Sequence, residues 1–149
     1  MRAPRCLALA ALVGTAFWIW HPVLRMSFAS DSFLLPLLLG PGGGVDWQAV
    51  LGEWSRPWLG MQGAATWRPV VTAHFALDLW LFGADPLGFH LSNLACHLAS
   101  GALVFALIRR ALPGAGLFAA WVGAFLYLVP PARAEAVAWV PGRVDGPAA

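Results

Sequence analysis

The chain has 149 residues, of which 60% are hydrophobic and 11% charged, with a formal net charge of +2. Soluble domains carry about 25% charged residues, so a mean hydropathy of +0.70 excludes an ordinary soluble domain, and so small a net charge gives no basis for nucleic-acid binding. Both cysteines, Cys6 and Cys96, fall inside apolar runs, which excludes a disulfide framework.

The first element is Cys6–Leu24, an uncharged run of 19 residues between Arg5 and Arg25. A helix needs about 20 apolar residues to cross the hydrocarbon core of a bilayer, so this run predicts a membrane crossing. Arg2 and Arg5 ahead of it also fit a secretory signal, with Gly14 and Ala16 as small residues near a cleavage point. The apolar run continues through Phe17, Trp18, Ile19 and Trp20, and that length favours an uncleaved anchor.

Residues 25–85 form a long loop. Ser32–Val45 is uncharged but is interrupted by Pro36, Pro41 and Gly42-Gly43-Gly44. It is too short and too broken to span, so it lies at the interface or re-enters, and Gly40–Gly44 predicts a flexible joint. Trp47, Val50, Leu51, Trp54 and Trp58 recur at spacings of three and four, the pattern of a short amphipathic helix. Five of the nine tryptophans (47, 54, 58, 67 and 80) sit in this loop. Indole rings favour the headgroup level, so they read as membrane anchors, with stacking on a sugar as the alternative. A second loop helix is predicted over Arg68–Phe82, with Thr66 as N-cap, Pro69 in the first turn and Gly83 as the stop.

Two further crossings follow. Pro86–Ile108 spans 23 residues between Asp85 and Arg109, and Ala111–Ala132 spans 22 between Arg110 and Arg133. Asp85 is placed to cap the first of these with Pro86 at its first position, and Pro130-Pro131 ends the second. The fold class is therefore an all-α membrane protein with three transmembrane helices (6–24, 86–108 and 111–132) and a long outer loop (25–85) carrying interfacial amphipathic helices. The positive-inside rule places Arg2, Arg5, Arg109 and Arg110 in the cytoplasm. Residues 25–85 and 133–149 then share the outer side. With so little room for a core of its own, 1–149 reads as the N-terminal fragment of a larger polytopic membrane domain.

That outer side gathers the chemistry-bearing residues. Asp31 lies seven residues beyond the first crossing. A carboxylate there can hold a divalent cation or take a proton from an acceptor hydroxyl, or simply be solvated. His90, Asn93 and His97 follow spacings of three and four and share one face of the second crossing. Polar groups at that depth point into a bundle or cavity, and hydrogen bonding between helices, with Ala95, Ala99 and Ala102 packing beside it, explains them as well as a site does. His90 and His97 stand two turns, about 10 Å, apart along the axis, too far to hold a metal as a pair. Arg68, in Trp67-Arg68-Pro69, can grip a phosphate bidentately or reach lipid headgroups. Glu135, Arg143 and Asp145 follow the third crossing. No P-loop, Gly-x-Gly-x-x-Gly, His-Glu-x-x-His, paired-cysteine or Gly-x-Ser-x-Gly motif occurs.

Three stretches together resemble a known family. They are Trp67-Arg68-Pro69-Val70 followed by Phe82–Gly88; Gly88-Phe89-His90-Leu91-Ser92-Asn93-Leu94-Ala95-Cys96-His97; and Glu135–Val140 followed by Gly142-Arg143-Val144-Asp145. Their order and spacing over roughly 80 residues are similar to the N-terminal part of GT-C type membrane glycosyltransferases, in the branch of transmembrane and tetratricopeptide-repeat O-mannosyltransferases and their bacterial relatives. The resemblance implies many crossings, a sugar donor on a polyprenyl phosphate, a protein or glycan acceptor, and transfer on the non-cytoplasmic side of an inner or plasma membrane. It implies catalytic roles for Asp31 and Glu135, and substrate-binding roles for Arg68, His90, Asn93, His97, Arg143 and Asp145. The family has an acidic pair after its first crossing. Asp31 matches the first member, and Ser32 stands in place of the second, so the cofactor stays open with a divalent cation as the candidate. Pro130 and Arg133 occupy places where the family often has histidines, whereas Glu135 matches.

A non-catalytic scaffold or degenerate relative with repeat domains downstream is the competing function, favoured by Ser32. A transporter fragment is a third, with His97 as its ionisable residue near the midplane. A shared outer pocket makes a topological prediction. Single cysteines placed at positions 31 and 135 should both react with an impermeant maleimide applied to intact cells. Reaction from opposite sides of the membrane removes the shared pocket.

Overall fold

The computed structural model describes residues 3–28, 35–58 and 67–138. Six α-helices occur among them: α1 (Ala3–Trp20), α2 (Trp47–Gly52), α3 (Pro69–Phe82), α4 (Pro86–Ala111), α5 (Gly116–Leu128) and α6 (Ala134–Ala138). The described residues contain no β-strand, only an isolated bridge between Leu39 and Val45.

Two helical stretches are long and apolar enough to cross a membrane, Pro4–Arg25 and Pro86–Ala111. The first is α1 continued by a 3-10 turn over His21–Arg25. At 1.5 Å per residue the 22-residue stretch reaches about 33 Å and the 26-residue one about 39 Å, against a hydrocarbon core of about 30 Å. α4 begins where the sequence places it: the Asp85 carboxylate accepts from the Leu87 N–H at 3.0 Å and Pro86 fills the first position. It ends later than Ile108. Arg109 and Arg110 form its last turn, where cations complement the carbonyl end of a helix, so the link to α5 is Leu112–Ala115 rather than the arginines.

The third apolar run contains a shorter helix than its 22 residues suggest. α5 holds 13 residues, about 20 Å. Pro113 opens a 3-10 turn over Pro113–Ala115 ahead of it, and another covers Pro131–Arg133 behind it. Gly116, at φ 75°, breaks the backbone at the start of α5, and behind the helix Pro130 and Pro131 lack the N–H groups that a continuing α-helix needs.

The loop elements refine the sequence reading in three places. Gly40–Gly44 is a closed turn rather than a loose joint: the Gly40 N–H donates to the Gly44 carbonyl at 2.8 Å and the Asp46 N–H to Leu38 at 2.9 Å. α2 stops at Gly52, capped at its start by Asp46, whose carboxylate accepts from the Ala49 N–H at 2.9 Å. Trp54 and Trp58 therefore lie beyond the helix. α3 has Arg68, not Thr66, as its N-cap residue, with φ −139° and no side-chain cap. The cause is Pro69, which pushes the residue before it out of the helical region. Gly83 ends α3 with φ 61°, a conformation that costs glycine nothing.

Side chains four apart form the contact ridges of the bundle. Leu12, Ala16 and Trp20 line α1; Ala120, Ala124 and Leu128 line α5; Phe89, Asn93, His97, Gly101 and Phe105 line α4; all are buried. Residues four apart stack on one helix face. Leu12, Ala16, Phe105, Ala120, Ala124 and Leu128 make one apolar core. Trp20, Val23, Leu94 and Val137 make a second. Leu35, Leu38, Val50, Phe75, Ala76, Leu79 and Phe89 make a third under the loop helices. α4 contributes to all three and is the spine of the structure. Small residues allow its close approach to α5, as in membrane helix pairs generally: a Cβ on Gly101 would meet the Leu128 side chain at 2.5 Å. Gly101→Leu should therefore destabilise the full-length protein by about 1–3 kcal/mol in denaturing-detergent titrations. Ala99→Leu, at an exposed position on the same helix, should leave the midpoint unchanged.

Candidate functional site

The polar residues of α4 are drawn into the bundle. His90 is 1% exposed, Asn93 2% and His97 7%. Asn93 faces α6 and His97 faces α5 and the end of α1. Unsatisfied polar groups are costly in such surroundings. His97 Nε2 lies 2.9 Å from the Leu128 carbonyl oxygen. A carbonyl cannot donate, so His97 carries its proton on Nε2 toward this bond. The Trp20 indole N–H donates to the same oxygen at 2.7 Å. The three rings around this point are packed together: Trp20 meets His97 edge-on at 5.8 Å, and Tyr127 stacks on His97 at 6.0 Å.

The Leu128 carbonyl needs these donors. The last carbonyls of a helix lack intrahelical partners. Here Pro130 and Pro131 have no N–H to offer, and Pro130 takes an extended ψ of 140° that turns the chain away. α6 is then tied back to the same spine, with Asn93 Nδ2 donating to the Val137 carbonyl at 3.5 Å and Val137 fully buried beside Trp20 and Leu94.

Among the site residues expected from sequence, the structure thus brings Asn93 against α6, the helix that carries Glu135. The side chain of Glu135 lies outside the described residues, as do Asp31, Arg143 and Asp145. Arg68 sits at the start of α3, half-buried, with its guanidinium 5.2 Å from the centre of the Trp58 ring, a cation–π contact. Its carbonyl accepts from the Thr72 N–H at 3.1 Å and hydroxyl at 3.2 Å. Among the described residues no group of three or more His, Cys, Asp or Glu side chains could hold a metal ion. Cys6 and Cys96 are free and exposed.

A second set of buried polar groups lies under the loop. Asp78 is 2% exposed and Thr72 fully buried on α3. His74 Nε2 meets Ser92 Oγ at 3.0 Å, tying α3 to α4. Glu53, 1% exposed, accepts from Arg56 Nε at 2.7 Å, and Arg56 also donates to the Ala49 carbonyl at 2.9 Å. Sequence reasoning left these out of the site, although Asp78 carried a signal: it is the single charge between Arg68 and Asp85. The loop tryptophans divide between surface and packing. Trp47, Trp54, Trp67 and Trp80 are exposed, and the Trp67 N–H closes onto the Trp54 carbonyl at 3.2 Å. Beside Trp80, an open cleft of about 260 Å³ is lined by Leu39, Val45, Leu79 and Gly83.

An all-helical bundle with membrane-length apolar helices, and with imidazole and amide groups drawn into its interior, is the class of protein these features define. It resembles the protein O-mannosyl-transferases. The chain is 40% identical over 93 residues to Protein O-mannosyl-transferase Tmtc1 of Drosophila melanogaster, covering 62% of this chain and 10% of that protein. It is 34% identical over 106 residues to Tmtc2 of the same organism, covering 69% and 11%, and 29% identical over 154 residues to mouse TMTC1, covering 97% and 16%. The chain thus spans only 10 to 16% of the length of these relatives. No family model matches, and no solved structure matches. Together the apolar helices and these relatives mark a membrane protein related to glycosyltransferases.

The His74–Ser92 tie is a helix-to-helix bond. Ser92→Ala should cost about 0.6 kcal/mol, at most about 1.7, the range for such bonds in membrane bundles, read from denaturing-detergent titration of the full-length protein.

Proposed function

We propose that this chain is the N-terminal part of an integral membrane glycosyltransferase of the GT-C type, moving a sugar from a polyprenyl-phosphate carrier to a hydroxyl of a protein or glycan acceptor on the non-cytoplasmic side. The observation that carries this reading is the buried row His90, Asn93 and His97, with Asn93 bonded to the helix of Glu135, in a chain similar to O-mannosyl-transferases. In the three-crossing arrangement, α5 and its flanking turns complete the third crossing, and the loop residues 25–85 face the lipid headgroups.

Asp31 takes the proton of the acceptor hydroxyl as general base. The acceptor oxygen forms its bond to the sugar's anomeric carbon as the bond from that carbon to the carrier phosphate breaks. The electron pair leaves on the phosphate, where Arg68 or Arg143 stabilises the developing charge. His90, Asn93 and Glu135 line the pocket, and Asp145 adds a polar contact at its rim. His97 acts from behind the pocket, because its Nε2 is committed to the Leu128 carbonyl. Ser32, in place of a second acid, favours the alternative of a non-catalytic scaffold.

Asp31→Asn in the full-length protein decides between the two. Loss of a general base lowers a rate by about 10²- to 10⁴-fold, so transfer from a lipid-phosphate sugar should collapse while membrane insertion persists. Unchanged transfer removes Asp31 from the active site, and absence of transfer by the unaltered protein across a panel of lipid-phosphate sugars favours the scaffold.

A further inference from the structure

The Leu128 carbonyl is the last of α5, and the chain leaves it through Pro130 and Pro131 toward α6, which carries Glu135. Two donors from two different helices converge on that oxygen: the Trp20 indole at the end of α1 and the His97 imidazole in the middle of α4. A carbonyl oxygen has two lone pairs and accommodates both. From the same α4 face, one turn nearer the outer end, Asn93 holds the Val137 carbonyl of α6. The short segment between Leu128 and Val137 is therefore anchored at both ends to α4. Its first anchor also fixes the end of α1.

From this geometry we infer that Trp20 and His97 are paired positioning residues, which act through the Leu128 carbonyl to set where α6 presents Glu135. The inference rests on the reading of Glu135 as a residue of the transferase pocket. Two features separate this arrangement from ordinary core packing. A buried helix end needs its carbonyl satisfied, and one donor is sufficient for that; here two polar rings are committed to it. Both rings are buried, Trp20 and His97 each at 7% exposure, and they are mutually packed. Loss of either donor leaves the oxygen bound from one side only, free to swing about the remaining bond, and α6 moves with it. Displacement of a catalytic group by about 1 Å can cost on the order of 100-fold in rate.

The test uses the full-length protein. Trp20→Phe keeps an aromatic ring and loses the N–H. His97→Leu loses ring and donor, while His97→Gln returns an amide N–H near the position of Nε2. Transfer from a lipid-phosphate sugar used by the unaltered protein should show kcat reduced about 10- to 100-fold in Trp20→Phe and His97→Leu, with KM for the sugar donor held within about twofold. His97→Gln should recover most of the loss, a rescue that a purely space-filling role does not predict. As a second readout, spin labels at Leu91 and Ala132, both exposed, report the distance from α4 to the segment entering α6. That distance should shift or broaden in Trp20→Phe and His97→Leu and return in His97→Gln. An unmoved distance overturns the clamp, and a moved distance with unchanged kcat overturns its link to Glu135. Failure of the unaltered protein to transfer any sugar overturns the transferase reading and the catalytic part of this inference, while the distance readout still decides whether the two rings set α6.

Discussion

The Leu128 carbonyl must find donors inside an apolar bundle, and the rest of the structure is arranged around that need. The double proline after α5 cancels the hydrogen bonds that would continue the helix, and Leu128 is fully buried. Trp20 and His97 supply the missing N–H groups. Because one comes from α1 and the other from α4, satisfying a single oxygen also sets the register of three helices. Trp20 and Leu128 both end their helices, so α1 and α5 finish at one level while α4 runs the other way.

Packing extends the same register. The ridge of side chains four apart on α1 lies against the ridges of α4 and α5. Gly101 lets the α4 backbone approach the Leu128 side chain, in the ridge position one turn along from His97. The Asn93 amide and the His97 imidazole therefore occupy the same row of α4 as Gly101. That arrangement combines close van der Waals contact with hydrogen bonding, the two terms that hold helices together where lipid removes the hydrophobic driving force. The loop helices pack on the N-terminal part of α4 through Phe89, so one spine serves both the membrane-length core and the cap beside it.

The functional reading draws on both parts. The N-terminal half of α4 brings Asn93 to α6, and the cap holds Arg68 at the start of α3 over the Trp58 ring. Similarity to O-mannosyl-transferases covers most of the chain but a small share of the relatives. The buried carboxylates Asp78 and Glu53, by contrast, are already integrated into the cap, Glu53 through its bond with Arg56.

Several features were legible in the sequence because they depend on neighbours within a few residues. Asp85-Pro86 starts α4 and Gly83 stops α3 for local reasons of capping and backbone sterics, and the spacing of His90, Asn93 and His97 placed them on one helix face. The length of uncharged runs marked three crossings; two of those runs hold membrane-length helices, and the third holds the 13-residue α5. Other features required the fold. Arg109 and Arg110 join α4 because a helix C-terminus welcomes cations, although a charge-bounded run ends before them. The Gly40–Gly44 turn closes because Leu39 and Val45 pair across it. The partner of His97 is 31 residues away and that of Trp20 is 108 away. Periodicity says which side of a helix a residue occupies, but an acceptor contributed by another helix exists only once the helices have packed.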